Sequence, residues 1–330
     1  MGKPSRKPLK VASNTAEPHL AVVVASHGRH FLAKDEQNTL WQLYGKGKRR
    51  EVAVGDVVSI DPSGDCQAWI ADIQPRSNLL YRSDALKSKM FAANLDQVML
   101  VLAVSPPYSP ELLGRTWVAC RHAGVPLHIV FNKADLLQGE DELREQLMDD
   151  LARWTLSDTP IHLLSITAQP HDSKTVLHPL VHGKRTLVLG QSGMGKSTLI
   201  NLLIPGAAAA TNEVSLALNA GKHTTTHTRL HAGDGFELID SPGFQAFGLH
   251  HLSEAELLAV FEDIQDRGMR CRFANCQHLK EPGCAVKEAL ETDDLHEPRY
   301  ALYQLLKAEL QASSPKGPRP APPTATAWRI

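Results

Sequence analysis

The sequence predicts an α/β protein: a mostly parallel sheet covered by helices, with a small OB-like β-barrel before it and a helical segment after it. Three observations carry that expectation. Short strand-like runs punctuated by Gly, Asp and Pro fill residues 19–80. From about residue 85 to 250, apolar runs of strand length alternate with helical stretches. Residues 251–311 hold no strand-like run.

Composition sets outer limits. The 330 residues suggest about two domains at roughly 150 residues each. A hydrophobic share of 42% supplies a core, and a charged share of 22% excludes wholesale disorder. The net charge of −1, from 35 Lys+Arg and 36 Asp+Glu, says nothing about nucleic acid, because opposite signs can be segregated along the chain. No apolar run approaches the ~18 residues of a membrane helix, and no apolar segment follows the basic N-terminus as a secretory signal requires. A cytoplasmic protein without membrane contact is therefore expected. Five cysteines, an odd number thinly spread, do not make a secreted disulfide framework.

In chain order, residues 1–18 carry Lys3, Arg6, Lys7 and Lys10 among prolines and read as a basic flexible tail. The barrel follows over 19–80, with strands expected at 19–25, 29–33, 39–44, 57–60 and 68–73 and turns at Gly28, Gly45, Gly47, Gly55 and Gly64. One of its loops, 46–50, reads KGKRR. Residues 81–250 form the α/β domain, with buried-type strands at 98–104, 127–131, 161–165, 186–189 and 236–240 and helices at 111–123 and 140–153. The acidic run 140–150 is read as a solvated helix face. Residues 251–312 form a helical domain, opened by Ser253 as N-cap of S-E-A-E and closed by a helix over 299–310. Residues 313–330, with five prolines, three basic residues and no acid, read as a disordered Pro-rich basic tail.

The chemistry starts at Gly190-Gln191-Ser192-Gly193-Met194-Gly195-Lys196-Ser197, which fits G-x4-G-K-[ST] between a strand and the helix begun by Thr198. The glycines let backbone N–H groups turn toward phosphates, Lys196 neutralises the β and γ oxygens, and the Ser197 hydroxyl can ligate Mg²⁺. Asn132-Lys133-Ala134-Asp135 ends another strand. The Asp135 carboxylate can accept from both the ring N–H and the exocyclic amine of guanine, a donor pair that adenine lacks. Ser165-Ile166-Thr167 ends a third strand and is expected to support the base. In Asp240-Ser241-Pro242-Gly243, Asp240 can hold the Mg²⁺ water shell and the Gly243 N–H can meet the γ-phosphate. Gly221-Lys222-His223-Thr224-Thr225-Thr226 is expected to sense the γ-phosphate through one threonine. Thr225 is the candidate, although the residues do not single it out. GTP and GDP are thus the expected ligands.

The motif order is permuted. Ordinary regulatory GTPases run phosphate loop, switch threonine, D-x-x-G, N-K-x-D, then the serine loop. Here the last two come first, which domain termini lying close together make tolerable. The D-x-P-G segment consequently runs straight into the C-terminal domain.

Cys271-x4-Cys276-x-His278-x5-Cys284 offers three thiolates and an imidazole within fourteen residues. That set suits one closed, tetrahedral, structural Zn²⁺. Cys66 and Cys120 lie outside it and are expected to be plain buried residues. The histidines at 162, 171, 178, 182, 250 and 251 are read as surface or loop residues.

With these residues in view, the chain resembles the ribosome small subunit-dependent GTPase A (RsgA) family over roughly residues 19–310. The barrel, N-K-A-D at 132–135, G-Q-S-G-M-G-K-S-T at 190–198, G-K-H-T-T-T at 221–226, D-S-P-G-F at 240–244 and the Cys/His set carry the likeness. It implies a circularly permuted P-loop GTPase that binds the small (30S) ribosomal subunit late in maturation and is stimulated by it. Met194 departs from the family's usual valine, with its side chain expected to point away from phosphate. Phe244 stands where many GTPases place a water-orienting Gln. His223 or His227, or the bound partner, is the expected substitute. Ribosomal RNA would be gripped by the basic loop, the tails and the zinc domain. Aromatics at 5% suggest that base stacking is minor. A monomer is expected. Two other readings compete: a nucleotide-dependent ribosome-binding checkpoint in which hydrolysis is incidental, and a P-loop kinase, which gives no reason for N-K-x-D.

Overall fold

The structure is a computed structural model that describes residues 18–27, 30–45, 52–83, 88–207, 228–241 and 248–312. The loop at 46–50, the segment 221–226 with His223 and Thr225, His227, Gly243, Phe244 and nearly all of both tails lie outside the described residues.

Five strands close the barrel: β1 (Leu20–His27), β2 (His30–Asp35), β3 (Leu40–Gly45), β4 (Val57–Gly64) and β5 (Gln67–Ile73). Their pairings run 1-2-3-5-4 and back to 1, with only β3–β5 parallel. The two-residue period decides the faces: Phe31, Ala33, Leu43, Ala68 and Ile70 fill the interior, while His30, Lys34 and Trp69 stand outside. A buried bidentate pair, Arg76 on Asp56, fixes the chain where it leaves the barrel, with both contacts at 2.7 Å.

A hairpin the sequence does not announce comes next, β6 (Leu79–Ser83) and β7 (Ser88–Ala93). The Ser83 N–H donates to the Gly248 carbonyl at 2.9 Å, and the His250 N–H to that of Ser83 at 3.0 Å. The chain following the D-x-P-G segment is thereby tied to this hairpin.

The α/β sheet holds β8 (Gln97–Ala103), β9 (Leu127–Asn132), β10 (Ile161–Leu163), β11 (Arg185–Leu189), β12 (Arg229–Ala232) and β13 (Glu237–Asp240) in spatial order 10-9-8-11-13-12. All neighbours are parallel except β12 and β13. Every residue of β8 is buried, and its side chains alternate between two cores. Val98, Leu100 and Leu102 face one, Met99, Val101 and Ala103 the other. The second core is closed by α3 (Pro170–Val181) and α4 (Lys196–Leu203), and the first by α1 (Pro110–Ala123) and α2 (Asp141–Thr155).

Residues 251–312 give α5 (Glu254–Val260), α6 (Glu262–Gly268), α7 (Ala285–Glu291) and α8 (Glu297–Ala312). Ser253 caps α5 in a capping box with Glu256. Leu257, Phe261, Leu302 and Leu306 share one continuous core with Leu113 and Trp117 of α1. Among the described residues no helix is long and apolar enough to cross a membrane.

Several expectations change. Strand β12, four residues long and polar, joins β1 antiparallel, with Ala25 opposite Arg229, so barrel and α/β sheet form one hydrogen-bonded surface. Cys66 is exposed, in the turn between β4 and β5, while Cys120 is buried as expected. His162 lies on β10, its ring 5.5 Å from that of His128, and His178 lies within α3. His251 packs against Tyr81 at 4.2 Å, and burial pushes it down to about 4. Asp150, at the end of the acidic run, accepts from Tyr108 and faces His296 at 3.0 Å, so that end of the run is used in packing.

Candidate nucleotide site and metal cluster

Strands β8 and β11 are neighbours whose chains leave in opposite directions along the sheet, β8 toward β9 and β11 toward β13. In open α/β sheets such a point leaves a crevice at the carboxyl ends of the strands. Asn132, Gly190 and Asp240 all stand there, at or just after the ends of β9, β11 and β13.

The phosphate loop is held by its neighbours. Asn132 is buried and bridges two loops: its Nδ2 donates to the Met194 carbonyl at 3.0 Å, and its Oδ1 accepts from the Ile166 N–H at 3.1 Å. A Cβ on Gly195 would meet Asn132 Nδ2 at 2.2 Å, and its φ is +102°. Gly190 (φ +143°) presses equally close to the Val101 carbonyl oxygen, at 2.3 Å from a Cβ. Glycine is therefore required at both positions. Lys133 donates to the carbonyls of Ser105 and Gly193, and the Gln191 side chain accepts from the Ser109 N–H at 2.9 Å. Met194 is buried in the second core, so only its backbone faces the loop, as the sequence suggested. Ser192, Gly193, Ser197 and Thr198 are exposed at the crevice, with Ser197 and Thr198 in the first turn of α4.

Lys196 is buried, and its Nζ donates to the Gln191 carbonyl at 2.8 Å. Burial lowers its pKa, opposed by Asp240. Burial pushes Asp240 up to about 6, opposed by Lys196. A buried cation and a half-buried carboxylate thus face one crevice, each costing desolvation that a phosphate and its counter-ion would relieve. The Ser241 hydroxyl donates to the Val188 carbonyl at 3.3 Å and fixes the strand end.

Beyond the phosphate loop, the Asp135 N–H donates to Ser165 Oγ at 2.8 Å, joining N-K-A-D to the serine loop. A cavity of about 340 Å³ opens there, lined by Asp135, Ser165, Leu163, Gln138, Arg144 and Gln169 among others. Its size suits a heterocyclic base. The sequence reading missed Gln138, Arg144 and Gln169. Only the position of Gln169, four residues past Ser165, offered a hint.

The ligand atoms of Cys271, Cys276, His278 and Cys284 all lie within 4.8 Å of one another. Cys271 Sγ is 3.8 Å from Cys284 Sγ, and His278 Nδ1 is 3.5 Å from each. A tetrahedron with bonds of about 2.3 Å has edges of about 3.8 Å, so the set fits a metal of that bond length. His278 takes a left-handed φ of +62°, and its carbonyl accepts from the Tyr300 hydroxyl at 2.5 Å. Helix α8 thereby braces the loop.

A profile of the RsgA GTPase family matches residues 73–250. The "Small ribosomal subunit biogenesis GTPase RsgA" of Paraburkholderia xenovorans (strain LB400) is 49% identical over 295 residues, covering 87% of this chain and 92% of the relative. That of Burkholderia pseudomallei (strain 1710b) is 46% identical over 308 residues, covering 93% and 97%. Among solved structures, YjeQ from Thermotoga maritima superposes with a TM-score of 0.64 at 28% identity, covering 89% of this chain and 98% of that one. YloQ, described as a circularly permuted GTPase, gives 0.62 at 26% identity, covering 92% and 99%.

Proposed function

The chain belongs to the RsgA GTPase family, and on that premise we propose that it hydrolyses GTP to GDP and phosphate during biogenesis of the small ribosomal subunit, late in 30S maturation and stimulated by the subunit it binds. It would act in the cytoplasm, as a monomer. The division into tails (1–18, 313–330), barrel (19–80), GTPase domain (81–250) and zinc domain (251–312) belongs to the same proposal.

The observation that carries the GTP reading is the cavity beside Asp135 and Ser165, continuous in sequence and hydrogen bonding with the strut Asn132. Asp135 accepts the guanine donor pair, and Ser165 holds the Asp135 backbone. Lys133 keeps the phosphate loop seated on residue 105. Residues Gly190 to Gly195 present N–H groups to the phosphates, and Lys196 exchanges its carbonyl partner for phosphate oxygens. Ser197 and Asp240 are the residues that would hold magnesium, which supplies charge neutralisation on the β and γ oxygens. Thr225, Gly243 and His223 remain the candidates for γ-phosphate sensing and water positioning. Cys271, Cys276, His278 and Cys284 would hold one structural zinc, which supplies a cross-link to a segment with little core of its own.

The test is GTP and ATP hydrolysis with isolated small subunits, large subunits and whole ribosomes at two salt concentrations. Stimulation of GTP turnover by small subunits, weakening with salt, is expected. ATP turnover, or stimulation by large subunits alone, would overturn the proposal. The checkpoint reading predicts nucleotide-dependent binding with no stimulation in single-turnover assays.

A further inference from the structure

The four ligands of the metal cluster are not held alike. Cys271 follows the end of α6, its N–H donating to the Gly268 carbonyl at 3.1 Å. Cys284 is the N-cap residue of α7, its carbonyl accepting from the Glu288 N–H at 3.1 Å. Cys276 and His278 lie between them in a segment with no helix or strand. There the Glu281 carboxylate folds back onto its own loop. Its Oε1 accepts from the Gln277 N–H at 2.9 Å, and its Oε2 from the N–H groups of Leu279 and Lys280 at 2.8 and 3.0 Å. These donors bracket His278, whose φ is +62°.

This carboxylate is not needed to satisfy buried groups. Gln277, Leu279 and Lys280 are exposed, so water can accept from their N–H groups. What water does not do is hold three donors on one point. Backbone N–H groups gathered around a left-handed residue form an anion-binding nest, and here the anion belongs to the chain itself. The hydrogen bonds, led by that from Gln277, hold the Glu281 carboxyl down to about 2, so it keeps its charge at neutral pH. Both oxygens are used, whereas an amide in their place has a single acceptor. From outside, the Tyr300 hydroxyl and Lys287 Nζ donate to the carbonyls of His278 and Leu279, at 2.5 and 3.2 Å. Those contacts fix carbonyls; the N–H groups on either side of the histidine are fixed by Glu281. A left-handed φ is uncommon for a residue other than glycine and has to be imposed by its surroundings.

We propose that Glu281 is a positioning residue of the metal site, its carboxylate imposing the left-handed turn at His278 that returns the imidazole to the cysteines. This rests on the reading that Cys271, Cys276, His278 and Cys284 hold zinc, and deepens it by naming the residue outside the ligand set that keeps the nitrogen ligand in place. His278 Nδ1 stands 3.5 Å from the sulfurs of both Cys271 and Cys284, and the two cysteines are themselves seated at helix ends. The histidine has no such seat. Loss of Glu281 therefore frees the imidazole first and leaves a coordination position open to water. Groups that orient a metal ligand are worth about 10- to 100-fold in metal affinity.

The experiment titrates the zinc-loaded full-length protein with a chromophoric chelator, and records the visible spectrum after exchange of zinc for cobalt, in wild type, Glu281→Ala, Glu281→Gln and His278→Ala. Glu281→Ala should lower zinc affinity about 10- to 100-fold, and Glu281→Gln, which keeps one acceptor, by less. The cobalt form of Glu281→Ala should keep its sulfur charge-transfer bands while its d–d bands move toward those of His278→Ala. Nucleotide binding serves as the control for folding, and if Glu281→Ala does not fold, Glu281→Gln carries the same comparison. Unchanged zinc affinity without the carboxylate overturns the proposal. So does a lowered affinity with the wild-type d–d spectrum, which marks a general loosening of the domain with the histidine still in place. A wild-type chain that holds no zinc and gives no tetrahedral cobalt spectrum overturns the zinc reading itself, and the role of Glu281 with it.

Discussion

The guanidinium carbon of Arg299 lies 4.1 Å from the centroid of the Trp117 ring. Arg299 is fully buried on α8, donates to both Asp263 oxygens at 3.0 Å and to the Trp154 carbonyl at 2.6 Å, and lies 5.0 Å from the Phe261 ring. One side chain therefore joins α8 and α6 to helices α1 and α2 of the GTPase sheet. Its planar fork and its stacking face are both used, which lysine does not reproduce.

Removing Arg299 should be costly because it leaves the Asp263 carboxylate without its partner. Arg299→Met is expected to destabilise by about 3–5 kcal/mol in denaturant unfolding, and Arg299→Met with Asp263→Asn by clearly less. Equal losses in the single and double variants would show that stacking on Trp117, rather than the ion pair, dominates.

Gly195→Ala should abolish nucleotide binding while sparing the fold. The added methyl collides with Asn132 Nδ2 and strains a φ of +102°, so the loop must leave its seat. Fluorescent GTP-analogue titration is expected to show at least ~10²-fold weaker binding, with thermal unfolding nearly unchanged.

Asp135→Asn changes the base that the cavity accepts. An amide N–H there faces the guanine donors, whereas xanthine offers a carbonyl at the same place. GTP affinity should fall by roughly 10²-fold or more and XTP affinity should rise, read by competition against a labelled nucleotide.

Chelation tests the four-ligand cluster. Metal analysis should return one zinc per chain, and a strong chelator should lower the unfolding midpoint and expose residues around 268–291 to protease. Cys284→Ser should reproduce both effects with no chelator present. GTP binding should persist, because the cluster lies outside the nucleotide crevice.

Asp240 gives the pH dependence a definite sign. Its folded pKa of about 6 exceeds the ordinary 3.8, so the folded state binds the extra proton between those values. On its account stability falls as pH rises from 3.8 to 6, and the penalty is complete at pH 7. Asp240→Asn should therefore stabilise the nucleotide-free protein at pH 7 by on the order of 1–2 kcal/mol, allowing for partial exposure, and show no gain at pH 3.5. The same variant should bind Mg·GTP more weakly, a trade of stability against function.

The phosphate loop, N-K-A-D and the Cys/His set were legible because their chemistry is tied to fixed local spacing. The barrel was legible because its strands keep a two-residue period. What escaped depends on contacts remote in sequence. Arg-Leu-His-Ala at 229–232 has no strand pattern of its own and is a strand only because β1 and β13 flank it. The fate of His251 depends on Tyr81 and His122, neither near it in sequence. Cys66 is exposed because a turn, with φ at +54°, lifts it clear of the barrel. That Tyr44 stands directly opposite both His30 and Trp69 is a matter of register between strands, which a count of aromatics does not contain.

The seam between Ala25 and Arg229 also imposes a schedule on synthesis. Roughly 200 residues separate the two, and at 5–20 residues per second a ribosome needs roughly 10–40 s to make them. Throughout that interval the end of β1 lacks its β12 neighbour. The permuted order delivers Asn132 to Ser165, the residues proposed to read the base, first and Gly190 to Asp240, those proposed to meet the phosphates, last. A chain stalled before residue 229 thus holds a finished barrel with one raw edge and only part of a nucleotide site, and the ability to respond to GTP arrives together with the strand that covers the edge.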